Sequence, residues 1–120
     1  MIEIKRQENN FIVHIPQESV LTEQLFTQLQ FQLLAEKWKE ESKFLNFAKE
    51  ITQLADYQSI IAMGKAVLPY ILEDMQRQPN HWFTALKAIT GVNPVKAEHR
   101  GNLQSMTNDW LLWAKNEQII

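Results

Sequence analysis

The sequence predicts a mainly α protein, with a short N-terminal β-hairpin followed by about six helices in a compact bundle. Three observations carry this. Apolar residues after Pro16 recur with helical spacing, whereas the first sixteen residues alternate with period two. The connections between periodic segments are short enough to set neighbouring helices antiparallel. No linker divides the 120 residues, so a hairpin arm at 1–18 and a helical domain at 19–120 form a single folding unit.

In the arm, Ile2, Ile4 and Gln7 are separated from Phe11, Val13 and Ile15 by Glu8-Asn9-Asn10. Asparagine tolerates the left-handed backbone of a tight turn, and Pro16 removes a donor and ends the second strand. Ser19 or Thr22 caps a first helix reaching about Lys39, with Leu21, Leu25, Leu29 and Leu33 as one stripe and Phe26, Leu34 and Trp38 beside it. After a break at Glu40-Glu41-Ser42, the spacing of Phe44, Phe47, Ala48 and Ile51 predicts a second amphipathic helix. Asp56 caps a short third helix through Ile60 and Ile61, and Gly64 suits the left-handed stop after it. The fourth runs from about Ala66 to Gln76, with Pro69 tolerable only near its first turn. Pro79 and Asn80 open a fifth, through Trp82, Phe83, Leu86 and Ile89, which closes on Gly91. Val92-Asn93-Pro94 is a turn before a last helix carrying Leu103, Met106, Trp110 and Trp113. Leu68, Ile71, Phe83, Leu86, Ile89, Trp110 and Trp113 are expected to form one contiguous core.

Composition excludes several function classes. Hydrophobic residues make up 45% and charged residues 22%, the balance of a globular domain. There are no cysteines, so disulfides, zinc–thiolate sites and thiol nucleophiles are absent, in keeping with a reducing compartment. A net charge of −2 provides no basic excess for phosphate binding, which argues against a nucleic-acid partner. The N-terminus lacks the apolar stretch of a signal peptide, and no apolar run approaches a membrane span; the expected location is cytoplasmic.

Ile61-Ala62-Met63-Gly64-Lys65-Ala66-Val67-Leu68-Pro69-Tyr70-Ile71-Leu72 and Trp82-Phe83-Thr84-Ala85-Leu86-Lys87-Ala88-Ile89-Thr90-Gly91 together resemble a HEAT-like helical pair, at about 57–91. In such a pair a Gly–Pro boundary separates two short helices that bury each other's apolar faces. Asn80-His81-Trp82 stands where these repeats usually carry an Asp and an Arg. From Trp38 onward the chain resembles a small uncharacterised bacterial α-helical family. The resemblance rests on Tyr57-Gln58-x-Ile60-Ile61-x-Met63-Gly64, on His81-Trp82-Phe83-x-Ala85-Leu86-x-Ala88-Ile89-Thr90-Gly91-x-Asn93-Pro94-Val95, on Gly101 and on Trp110-Leu111-x-Trp113. That family usually has His-Pro where this chain has Ala55-Asp56. Asn10 to Pro16, with Leu25 to Leu34, is similar to small bacterial antitoxins. Neither resemblance implies a catalytic residue.

No active site can be read from the sequence. Ser19, Ser42, Ser59 and Ser105 sit in no nucleophile elbow, and His14, His81 and His99 lack the spacing of a helical metal pair. Neighbouring carboxylates such as Glu40-Glu41 and Glu73-Asp74 diverge on a helix. No catalytic residue, metal or cofactor is therefore expected. Residues suited to a partner surface are His81 and Trp82 at a helix start, His99 and Arg100 before the last helix, and Lys5 and Arg6 in the arm. His81 reads as a cap and Trp82 or Phe83 as core, with one of the two aromatics left exposed as an anchor as the alternative; Arg100 either clamps an anion or pairs with Asp109 or Glu98. The function these features favour is a non-catalytic protein-interaction module in a bacterial mobile-element or toxin–antitoxin setting, with a protein partner or a homodimer formed through the hairpin's open edges. The alternatives are an antitoxin-like DNA-binding dimer in which Lys5 and Arg6 touch phosphates, and a small enzyme assembled from distant residues.

Overall fold

A computed structural model describes residues 16–120, with side chains from Leu21 onward. Among the described residues the regular elements are all helical: α1 (Pro16–Ser42), α2 (Ala48–Thr52), α3 (Ala55–Ala62), α4 (Leu68–Arg77), α5 (Phe83–Thr90) and α6 (Leu103–Asn116). Short 3₁₀ turns at Gly64–Val67 and Ala97–His99 precede α4 and α6. The hairpin, with Lys5 and Arg6, lies outside the described residues. Pro16 opens α1; proline suits a first helical turn because its φ is preset and its missing N–H would have had no intrahelical acceptor. α1 thus starts before Ser19 and ends at Ser42 rather than Lys39. Its 27 residues span on the order of 40 Å at the usual rise per residue.

The buried face of α1 is not the stripe of four leucines. Phe31, Ala35 and Trp38, spaced by four and three, are the side chains it buries, and Leu34 is half-buried beside them. They seat α1 on α3 and on the Gly64–Val67 turn; α3 packs in turn on α5, and α4 on α6. The most extensive helix contacts therefore skip sequence neighbours. A reason lies in α2, whose five residues are too short to form a packing layer. The amphipathic helix read from Phe44 onward shrinks to this one turn. Its buried apolar residue is Ile51, while Phe44 and Phe47 are 89% and 68% exposed. Trp38 pins the turn by donating its Nε1–H to the Ile51 carbonyl at 2.8 Å.

Local punctuation worked where it rests on backbone chemistry. Gly64 and Gly91 hold φ of 74° and 76°, the left-handed region that a side chain would strain, and each follows a helix as expected. Pro69 falls in the first turn of α4, which begins two residues later than read, at Leu68. α5 begins at Phe83, so Pro79 and Asn80 belong to the approach. α6 is capped by Asn102, whose side-chain oxygen accepts the Ser105 N–H at 2.9 Å. Asp56 does not cap α3. The cap position is Leu54, and Asp56 sits in the first turn, where its charge suits the helix dipole, 3.9 Å from Lys37.

The helices meet around one cluster. Leu68, Ile71, Leu86 and Trp110 are buried in it as expected, whereas Phe83, Ile89 and Trp113 pack against its edge, half-buried. Its centre is aromatic: Trp38 lies 4.5 Å from Trp82 and 5.1 Å from Tyr57, and Tyr57 and Trp82 stack at 5.7 Å, centroid to centroid. Such spacings favour offset and tilted ring contacts. Phe31 extends the group from α1, 5.6 Å from Trp82.

Candidate functional site

Trp82 has no exposed surface and is no partner anchor. Its indole Nε1–H donates at 2.9 Å to Oδ2 of Asp74, a buried residue of α4. Oδ1 of the same carboxylate accepts Lys39 Nζ at 2.7 Å and Arg77 Nη2 at 3.0 Å. One side chain thus ties α1, α4 and the start of α5 together. Burial pushes the Asp74 carboxyl up, but hydrogen bonds from Lys39, Trp82 and Arg77 outweigh it and hold the carboxyl below its ordinary value. The native state then binds this proton more weakly than the unfolded chain, whose aspartates titrate at about 3.9. Stability from this group is complete above that pH and is lost as pH falls through the lower folded value. Asp74→Asn is expected to flatten the fall in Tm as the pH drops below about 4. Equally steep profiles for the two proteins would assign the acid loss to other carboxylates.

His81 contributes its backbone. Its N–H donates to Asn80 Oδ1 at 2.8 Å, and its carbonyl accepts the Tyr57 hydroxyl at 2.9 Å. The same hydroxyl accepts the Ala85 N–H at 2.9 Å, so the residue that satisfies the start of α5 is Tyr57 of α3, not a His81 cap. Burial pushes the Tyr57 phenol up to about 12, against the lowering effect of its contacts with Ala85 and Thr84. Tyr57→Phe would leave a buried N–H unpaired and is expected to cost about 1–3 kcal/mol. Urea denaturation would show it, and a loss within the error of the measurement would mean that α5 begins unaided.

The other expected pair is split. His99 Nδ1 lies 2.7 Å from Asp109 Oδ2, which also accepts the Lys96 N–H at 3.0 Å. The contact with His99, then that with Lys96, holds the Asp109 carboxyl below its ordinary value. Asp109 is therefore engaged by His99 rather than Arg100, which is exposed beside it in sequence. An open hollow of about 330 Å³ does bring His81 near Gly101, with Phe83, Thr84, Lys87, Leu103 and Met106 around them. Neither His99 nor Arg100 lines it. The structure also joins two carboxyls from different helices. The neighbouring Asp56 carboxyl raises the pKa of Glu41, opposed by Lys37. Among the described residues no group of three or more His, Asp or Glu side chains could hold a metal ion.

The polar residues thus hold the fold, and the remaining unusual feature is apolar. Leu21, Leu25, Phe26, Leu29 and Leu33 are between 50% and 72% exposed along the first two thirds of α1. At 100° per residue they lie roughly 140° around the helix from Phe31, Ala35 and Trp38. α1 is apolar on two sides, and the bundle covers one. The position of the row is held by Tyr70, whose hydroxyl donates to the Gln24 carbonyl at 3.2 Å. A signal for this face was present in the sequence. From Leu21 to Ala35 the one charged residue is Glu23, whereas Glu36, Lys37, Lys39, Glu40, Glu41 and Lys43 follow at once. A helix facing water would not concentrate its charges beyond its longest apolar row.

Compared with known proteins, the chain matches no family model, no curated protein and no solved structure.

Proposed function

We propose that the chain is a non-catalytic protein-interaction module that docks through the first two thirds of α1. The observation that carries this is the exposed row Leu21, Leu25, Phe26, Leu29 and Leu33 on a stretch with one charge. Depletion of charge around apolar side chains is the compositional mark of an interface core. The polar groups support the same reading, because Asp74, Tyr57 and Asp109 spend their hydrogen bonds on holding helices together. The resemblance of 57–91 to a HEAT-like pair, carried by the residues around Gly64, Pro69 and Gly91, points to the same class of function, because such pairs serve as binding scaffolds. The setting we draw from the resemblance to small bacterial antitoxins is a mobile-element or toxin–antitoxin system.

The test is affinity capture of the full-length protein at native level, beside Leu29→Glu, with bound proteins identified by mass spectrometry. The wild-type chain is expected to retain a protein that the variant loses, while circular dichroism shows the same helix content for both. Identical catches would remove α1 as the docking face.

A further inference from the structure

Resting on that reading, we propose that the occupant of the α1 face is a second copy of this chain, paired antiparallel through the same row. The geometry is self-complementary. Leu21, Leu25, Leu29 and Leu33 form a single row at intervals of four, which is the ridge that interdigitates with its like when two helices cross at about −50°. A two-fold axis passing near residue 27 sets Leu21 against Leu33 of the partner subunit and Leu25 against Leu29 of the partner subunit. Every leucine of the row then meets a leucine. Phe26, 72% exposed, lies at its edge.

The available area matches what a homodimer requires. Five large apolar side chains at 50–72% exposure amount to on the order of 500 Å², near the upper end of what a monomer leaves bare. A standard interface takes about 800 Å² from each partner, of which homodimers make about 65% apolar, again on the order of 500 Å². Charge is sparse within the row itself. Glu23, the one charge between Leu21 and Ala35, lines a hollow with Gln24, Pro69 and Tyr70 on the flank towards α4, away from the row. No like charges therefore meet along the leucines. Because Phe31, Ala35 and Trp38 use another side of α1, the pairing leaves the core of each copy intact.

Sedimentation velocity on the full chain tests the proposal. The expected mass is twice the 14.1 kDa of one chain, falling to one chain in Leu25→Glu and in Leu29→Glu. Val13→Glu, in the arm, is expected to keep the dimer. Should the glutamate variants fail to fold, the absence of native cysteine offers a second route. Under mild oxidation, Leu25→Cys chains mixed with Leu29→Cys chains should cross-link to each other several-fold faster than either links to itself. The proposal is overturned by a monomeric wild-type protein, by a dimer indifferent to both glutamates, or by one that Val13→Glu dissolves. A monomer that captures a different protein through Leu29 would end the self-pairing while leaving the interaction-module reading in place. A monomer that captures nothing through Leu29 would end both.

Discussion

Replacing Trp82 with alanine is expected to cost about 3–5 kcal/mol, the upper range for truncating a buried aromatic. The ring is fully buried and touches Trp38, Tyr57 and Phe31 at once, so its loss opens a cavity bordered by two other helices, α1 and α3. It also removes the indole donor from Asp74, which keeps its two cationic partners. Trp82→Phe separates the two effects by retaining a ring and deleting the N–H, at an expected cost nearer 1–2 kcal/mol. Urea denaturation of the three proteins is the measurement. A loss below about 1 kcal/mol for the alanine variant would mean that the aromatic cluster is not the centre of the core.

Leu86→Ala is expected to lose about 2–5 kcal/mol in the same assay. Leu86 is fully buried, on the face of α5 that meets the cluster, whereas Leu33 is a leucine with most of its surface in water. Leu33→Ala, compared in the Leu29→Glu background where no second copy covers the row, should change stability by less than about 0.5 kcal/mol. The contrast between two leucines reads the orientation of their helices directly. Equal losses would place both side chains in a core, and Leu86→Ala at the level of a surface change would rotate α5 away from its assigned face.

The candidate surface was legible in part. The apolar spacing of Leu21, Leu25, Leu29 and Leu33 is visible in the sequence, and so is the run of charges that begins at Glu36. What periodicity lacks is a way to rank that row against Phe31, Ala35 and Trp38, which repeat just as regularly on the same helix. His81-Trp82-Phe83 stood out as unusual, but its roles lie in contacts 8 and 24 residues away in sequence, with Asp74 and Tyr57. In the sequence Asp74 is half of an adjacent acidic pair with Glu73. It became the hub of the bundle because three donors converge on it from α1, α4 and the start of α5.

By itself the sequence determined the features that depend on a few consecutive residues. Helical spacing set the class, the backbone freedom of Gly64 and Gly91 set two stops, and the ring of Pro69 set a start. The apolar spacing of α6 from Leu103 to Trp113 was legible because it is local. The tertiary structure alone decided which of two apolar faces of α1 is covered, and that Phe44 and Phe47 stay outside. It also decided that a tyrosine 28 residues before Ala85 satisfies the start of α5. Burial and hydrogen-bond satisfaction are properties of pairs of surfaces. A pattern along one chain shows that a face is apolar, and what covers it is settled when the other helices arrive.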